Sequence, residues 1–220
     1  MTPMEADDRL YSKLASAYVR GCLPGLDPAL DENGVLASGG AAGLKLHRFK
    51  RTAELPRVRA VLGVLRSLDP STLLDIGSGR GVFLWPLLDA FPNLAVTAVE
   101  PDPRRATHIA AVRQGGLARL SLVAADASRL AFPDGAFDVV TALEVLEHQA
   151  DPMPLARESV RIARRAVVAS VASKPDDNPE HVQLFTRESL SRLLRDAGAA
   201  AVRIEYVLNH IIAVAQVDRK

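Results

Sequence analysis

From Ser71 onward the chain alternates short β-branched runs with helical stretches, and this alternation constrains its fold more than any other feature. The apolar runs are TLLDI (72–76), AVTAV (95–99), LSLVA (120–124), FDVVTA (137–142), AVVASVA (166–172), AVRIEYV (201–207) and IIAVAQV (211–217). Helices are expected between them near 81–91, 102–114, 152–164 and 186–197. Asp102-Pro103 and Asp151-Pro152 pair a capping acid with a first-turn proline, Thr186 caps the last helix, and Gly198 ends it. Apolar runs joined by helices specify parallel strands buried on both faces. The final two runs are joined only around Leu208-Asn209, too short for a parallel crossover, so they must form an antiparallel hairpin.

The expected fold class is therefore α/β: a Rossmann-like, seven-stranded, mostly parallel sheet with a C-terminal antiparallel hairpin and helices on both faces. The N-terminal part reads differently. Residues 9–20 form an amphipathic helix ended by Gly21 and Pro24, and residues 21–43, with Pro24, Pro28 and six glycines, read as loop. A helix follows at about 55–68, with Val58, Val61, Leu62, Leu65 and Leu68 on one stripe and Pro56 in its first turn. With 220 residues, 48% of them hydrophobic, the chain can bury a sizeable core. A net charge of +1 argues against indiscriminate nucleic-acid binding. The lone Cys22 excludes an internal disulfide and a cysteine-based zinc site. No apolar run approaches the ~20 residues that span a bilayer, and the acidic Glu5, Asp7 and Asp8 are wrong for a secretory signal. A cytoplasmic location is the expectation.

The stretch LLDIGSGRG (73–81) carries the most chemistry. An apolar strand ends in Asp75, and Gly77, Gly79 and Gly81 follow before a helical run. Ligands in such sheets bind beyond the carboxyl ends of the strands, where a turn meets the next helix. The dinucleotide pattern G-x-G-x-x-G would need its third glycine at position 82, which is Val82, so a nicotinamide cofactor is disfavoured. Asp75 instead suits a ligand with a cationic amino-acid end. Glu100, 25 residues further on, ends the second strand where a carboxylate accepts from ribose hydroxyls. Asp126 follows the third strand and can accept from an exocyclic adenine amine. A cationic amino acid, a ribose and an adenine along three strand ends describe S-adenosylmethionine.

LLDIGSGRG, VEPD, AADASRLAFPDGAFDVV and ALEVLEH, in this order, resemble the successive motifs of class I S-adenosylmethionine-dependent methyltransferases. The phrase LAFPDGAFDVVTALEVLEH is similar to the branch that contains ubiquinone- and menaquinone-biosynthesis methyltransferases and many small-molecule O- and C-methyltransferases. The resemblance covers about residues 71–218. It implies a methyltransferase domain over 54–220 with an N-terminal cap or lid over 1–53, and S-adenosylhomocysteine as product. It further implies that Asp75, Gly77, Ser78, Gly79 and Gly81 line the methionine end. Glu100 and Pro101 then hold the ribose, Asp126 and Ala127 the adenine, and Leu143 and Glu144 lie beside the transferring methyl. Pro86, inside the first helix, is expected to remove a hydrogen bond and bend it.

Glu144, Glu147 and His148 stand at i, i+3 and i+4 on one face near the methyl, and His148 is the candidate general base. His181, in PEHVQLFTRESL, lies on a loop that returns over the same sheet edge. Glu144, Glu147, His148 and His181 form a plausible set for Mn²⁺ or Mg²⁺. That set resembles metal-dependent small-RNA 3′-terminal 2′-O-methyltransferases, but the further histidine and tryptophan expected around His181 are missing, so a metal is not the favoured reading. EHVQLFT also looks like a phrase of small-molecule enzymes, where the histidine contacts substrate or packs. The run Lys45–Arg51 carries four positive charges that steer an anionic acceptor or form a solvated helix face, and Phe49 is a candidate stacking residue. The favoured function is methyl transfer to an O- or C-nucleophile of a small molecule. Rivals are the RNA-ribose enzyme and a non-catalytic cofactor-binding partner protein.

Overall fold

A computed structural model describes residues 10–175 and 179–218. The start of the first expected helix and the acidic residues at 5–8 lie outside the described residues. Helix α1 runs Ser12–Cys22, α2 Glu32–Ala41 and α3 Pro56–Leu68, with a 3₁₀ turn at Leu46–Phe49 before α3. Strand and helix then alternate: β1 Thr72–Ile76, α4 Leu84–Ala90, β2 Ala95–Val99, α5 Pro103–Gln114, β3 Leu120–Val123 and β4 Phe137–Leu143. A 3₁₀ turn at Leu146–His148 leads into α6 Met153–Ile162, β5 Ala163–Ala172, α7 Arg187–Asp196, β6 Ala201–Val207 and β7 His210–Gln216.

The sheet order is β3-β2-β1-β4-β5-β7-β6. β1 to β5 are parallel, and β7 is antiparallel to both β5 and β6. Side chains alternate across the sheet, so neighbouring Leu73 and Leu74, both fully buried, enter different cores. Leu73 joins a cluster with Leu65, Leu84 and Trp85, and Leu74 one with Leu146, Leu155 and Leu190. Burial on both faces is why these strands read as apolar runs. Asp102 caps α5 through the N–H groups of Arg104 and Arg105, and Thr186 caps α7 in a capping box with Ser189.

Three expectations need correction. Residues 32–41 are helical, capped by Asp31, where loop was expected. The glycines there serve close helix packing: a Cβ at Gly39 would stand 2.5 Å from Val19 Cγ2. Gly21 does not end α1. It lies in the last turn against α5, where a Cβ would fall 1.9 Å from the Ala111 carbonyl oxygen, while one at Gly115 would fall 1.7 Å from that of Ala17. Pro86 bends nothing, because α4 begins at Leu84 and its first turn has N–H groups without intrahelical acceptors anyway.

The N-terminal residues join the sheet's core. Tyr11 accepts at its hydroxyl from the Thr52 and Ala53 N–H groups, at 3.1 and 3.0 Å. Phe49, fully buried, packs on Tyr18 and Trp85 with ring centroids 5.3 and 5.0 Å apart, so it is a core residue rather than a stacking platform. Arg48 contacts His108, and Arg51 lies 3.6 Å from Asp89 while staying exposed, as Lys45 and Lys50 are.

Candidate functional site

A cavity of about 480 Å³ opens at the carboxyl ends of β1, β2, β3 and β4. Its floor begins at the turn after β1. Gly77 and Gly79 adopt φ +72° and +57°, a region open to glycine at little cost. A Cβ on Gly77 would also approach Val145 Cγ2 to 2.6 Å. Asp75, 2% exposed, accepts from Ser78 Oγ at 2.7 Å and Thr141 Oγ1 at 2.8 Å. Burial pushes its carboxyl up to about 6, against those two hydroxyl donors and with a smaller push from Glu100.

Glu100 ends β2 with both oxygens aimed by backbone donors: Gly79 N–H to Oε2 at 2.6 Å and Asp102 N–H to Oε1 at 3.0 Å. Arg105 stands 3.9 Å away. Each carboxylate oxygen has two lone pairs, so one per oxygen remains for a diol. Asp126 accepts the Ser128 N–H at 2.7 Å on Oδ1, and that bond holds its carboxyl below the usual range. An acid at the amino-acid end, a backbone-fixed acid at the ribose position and an acid at the adenine position fit S-adenosylmethionine, and the cavity volume is of the size that holds cofactors.

The opposite wall is built at the end of β4. Glu144 is one of three non-glycine residues with positive φ among the described residues, at +56°, and its N–H donates to the Ser170 carbonyl at 2.9 Å. A side chain held in the left-handed region at a strand end is strained, and such strain concentrates at functional sites. Ser170 Oγ donates to Glu144 Oε1 at 2.6 Å, and His210 Nε2 lies 3.2 Å from Oε2. Glu147 is buried, with Oε1 accepting from Ala172 N–H at 3.2 Å and Oε2 unpartnered. Burial, reinforced by Glu144, pushes its carboxyl up to about 7. His148 lines the cavity, and its Nδ1 lies 2.9 Å from the Glu180 carbonyl oxygen. A carbonyl only accepts, so Nδ1 carries the proton and Nε2 offers a lone pair.

Of the residues expected from sequence, Asp75, Gly77, Ser78, Gly79, Glu100, Pro101, Asp126, Ala127, Leu143, Glu144 and His148 line this cavity. Gly81 does not: its φ is +84° and a Cβ there would lie 2.0 Å from Trp85 Nε1, so it is glycine for packing. His181 also stays off the wall, stacked edge-on against His148 with centroids 4.9 Å apart. The four-residue metal set does not converge. Glu147 is turned onto Ala172 and Glu144 onto Ser170 and His210, and no group of three potential ligands forms among the described residues. Among the described residues, none before Arg57 lines the cavity.

Sequence reasoning missed Thr141, Ser170, His210 and Gln183. Gln183 Nε2 donates to the Gln149 carbonyl at 2.5 Å, and Val182 N–H to that of Glu147 at 2.9 Å, which ties the 180–183 loop onto the turn that carries His148. His210 had no local signal: it pairs with Ala172 because β7 rather than β6 lies beside β5.

Residues 74–169 match the family described as Methyltransferase domain. An uncharacterized methyltransferase of Mycolicibacterium gilvum is 40% identical over 93 residues, 42% of this chain and 35% of that protein. The ubiquinone biosynthesis O-methyltransferase of Caulobacter vibrioides is 32% identical over 144 residues, 64% of this chain and 49% of its own length. The chain thus spans about a third to a half of the curated relatives it matches. A SAM-dependent methyltransferase from Aquifex aeolicus has the same fold, with TM-score 0.63 and 19% identity over 76% of this chain and 92% of that one. Residues 74–169 thus resemble a methyltransferase domain, and the sheet has the fold of the Aquifex aeolicus protein. No helix among the described residues is long and apolar enough to cross a membrane.

Proposed function

We propose that this chain transfers a methyl group from S-adenosylmethionine to an oxygen or carbon nucleophile of a small molecule, with His148 as general base. The observation that carries this reading is the His148 imidazole on the cavity wall, its Nδ1 proton committed to the Glu180 carbonyl at 2.9 Å. When bound, S-adenosylmethionine supplies an electrophilic sulfonium methyl. Asp75 and the Gly77–Gly79 turn seat its amino-acid end, Glu100 with Pro101 its ribose, and Asp126 with Ala127 its adenine. Leu143, Val145 and Leu155 shield the reacting end from water. His148 Nε2 takes the acceptor proton as the new bond forms, and Glu144, braced by Ser170 and His210, orients the acceptor. Arg57 and Arg80 also reach the wall and suit an acceptor with an anionic group.

We divide the chain at 53/54, with the cavity-forming domain C-terminal and the earlier residues as a flank packed on α5 and α4. Two measurements test the reading. Calorimetric titration with S-adenosylhomocysteine should show binding that Glu100→Ala weakens. Labelled methyl from S-adenosylmethionine should enter a small molecule of a cell extract. Binding without transfer would leave a cofactor-binding protein, and label in RNA would point to the ribose enzyme.

A further inference from the structure

We propose that β6 is a homodimer interface, through which two copies pair their β6 strands antiparallel about a two-fold axis at Ile204. β6 closes the sheet at one edge, and among the described residues no strand pairs with its outer side. Alternate residues of an edge strand direct N–H and C=O groups outward, a template for another strand unless something blocks it. Proline, lysine and a bulge, three of the usual blocks, are absent: Ala201–Val207 reads AVRIEYV, and its pairing with β7 runs without a register shift.

The side chains select a second copy of this strand. An axis at Ile204 sets residues opposite one another when their numbers sum to 408. Arg203 then faces the partner's Glu205, and Glu205 faces the partner's Arg203. Both are largely exposed and already pair within the strand, so the dimer closes a ring of two guanidiniums and two carboxylates. On the other face Val202 meets the partner's Tyr206, a favourable aromatic–β-branched cross-strand pair, and Ile204 meets its own copy. Tyr206 is 57% exposed in the single chain. A one-residue slip would set Arg203 and Glu205 opposite Val202, Ile204 or Tyr206, and a two-residue slip would bring Arg203 onto Arg203 or Glu205 onto Glu205, so charge also fixes the register. Beside the strand, a groove between α3 and β6, lined by Gly63, Val64, Leu68 and Val202, gives space for the approaching chain.

Sedimentation of the full chain at up to about 100 µM, a range that captures weak interfaces, should show a mass rising from 23.6 kDa to twice that. Arg203→Glu and Glu205→Arg should each weaken dimerisation roughly tenfold or more, because either places like charges opposite one another twice. The doubly reversed chain should dimerise like the original. An equimolar mixture of the two single variants should form a heterodimer, since their charges complement. Tyr206→Ser should weaken the dimer less than either reversal. A chain that stays at 23.6 kDa throughout overturns the proposal. A dimer indifferent to both single reversals overturns it too, as does a mixture that fails to associate. Unchanged far-ultraviolet dichroism shows that the variants, all at exposed positions, remain folded.

Discussion

The two halves of the cavity are built on different principles. On the half proposed for the cofactor, Glu100 is aimed by main-chain donors from Gly79 and Asp102, and the turn's shape comes from glycines at positive φ. Those features are local, a strand end and the next few residues. On the acceptor half, Glu144 is held by Ser170 from β5 and His210 from β7, and His148 by a carbonyl 32 residues later in the chain. One half is a preformed mould, whereas the other is an assembly of side chains that meet only in the folded sheet. The first suits a constant ligand, and the second can change its acceptor with few substitutions.

If the halves are separable, each should fail in its own observable. His148→Ala should have the largest effect, lowering turnover by about 10²–10⁴-fold, the usual worth of a general base. Affinity for S-adenosylhomocysteine should stay within about twofold. Unimpaired turnover in a methyl-transfer assay would remove His148 as the base. Glu100→Ala should cost about 100-fold in S-adenosylhomocysteine affinity, because two charge-assisted hydrogen bonds are lost. A near-native dissociation constant by calorimetry would break the assignment of the ribose position.

The third effect is on stability. Burial raises the Glu147 carboxyl from its ordinary 4.5 to about 7, so the native state binds its proton more tightly than the unfolded chain does. Its contribution is therefore full below about pH 4.5 and lost progressively as pH rises through about 7. Glu147→Gln avoids this loss and should raise unfolding free energy at pH 8 by about 1–2 kcal/mol, with the gain vanishing near pH 4.5. Urea melts at the two pH values check it; an equal gain at both would mean that packing, not ionisation, is responsible. The smallest effect belongs to His210→Ala, which should lower turnover by about tenfold through a loosened Glu144. S-adenosylhomocysteine affinity should be unchanged, and a parallel loss of both would show that the halves are coupled.

Some of this molecule was legible without coordinates. The strands at 72–76 and 95–99 appear with the expected bounds, because parallel strands inside the sheet read as short apolar runs, and β6 keeps its expected 201–207 although it is an exposed antiparallel edge. β5 begins three residues early, at Ala163 directly after α6: Ala163 pairs with Phe137, and Arg164 and Arg165 lie in a register shift before Ala166 pairs with Val139. The helix at 32–41 was hidden because Gly34, Gly39 and Gly40 argue for loop locally, and only the Val19 side chain of another helix shows why Gly39 must be small. Gly81 misled in the opposite sense. Its place beside Gly77 and Gly79 suggested a ligand, and the neighbour it makes room for is Trp85.

By itself the sequence determined the alternating α/β architecture, the antiparallel end of the sheet and the three acids at successive strand ends. Each of these follows from short-range periodicity and from turn chemistry within a few residues. The tertiary structure alone decided that Ser170 and His210 brace Glu144, that His148 Nδ1 meets the Glu180 carbonyl, and that Glu144, Glu147, His148 and His181 form no three-ligand cluster among the described residues. These depend on strand order and register. A carboxylate's partners across a sheet are set by which strands lie next to it, a non-local choice that no window of the chain contains.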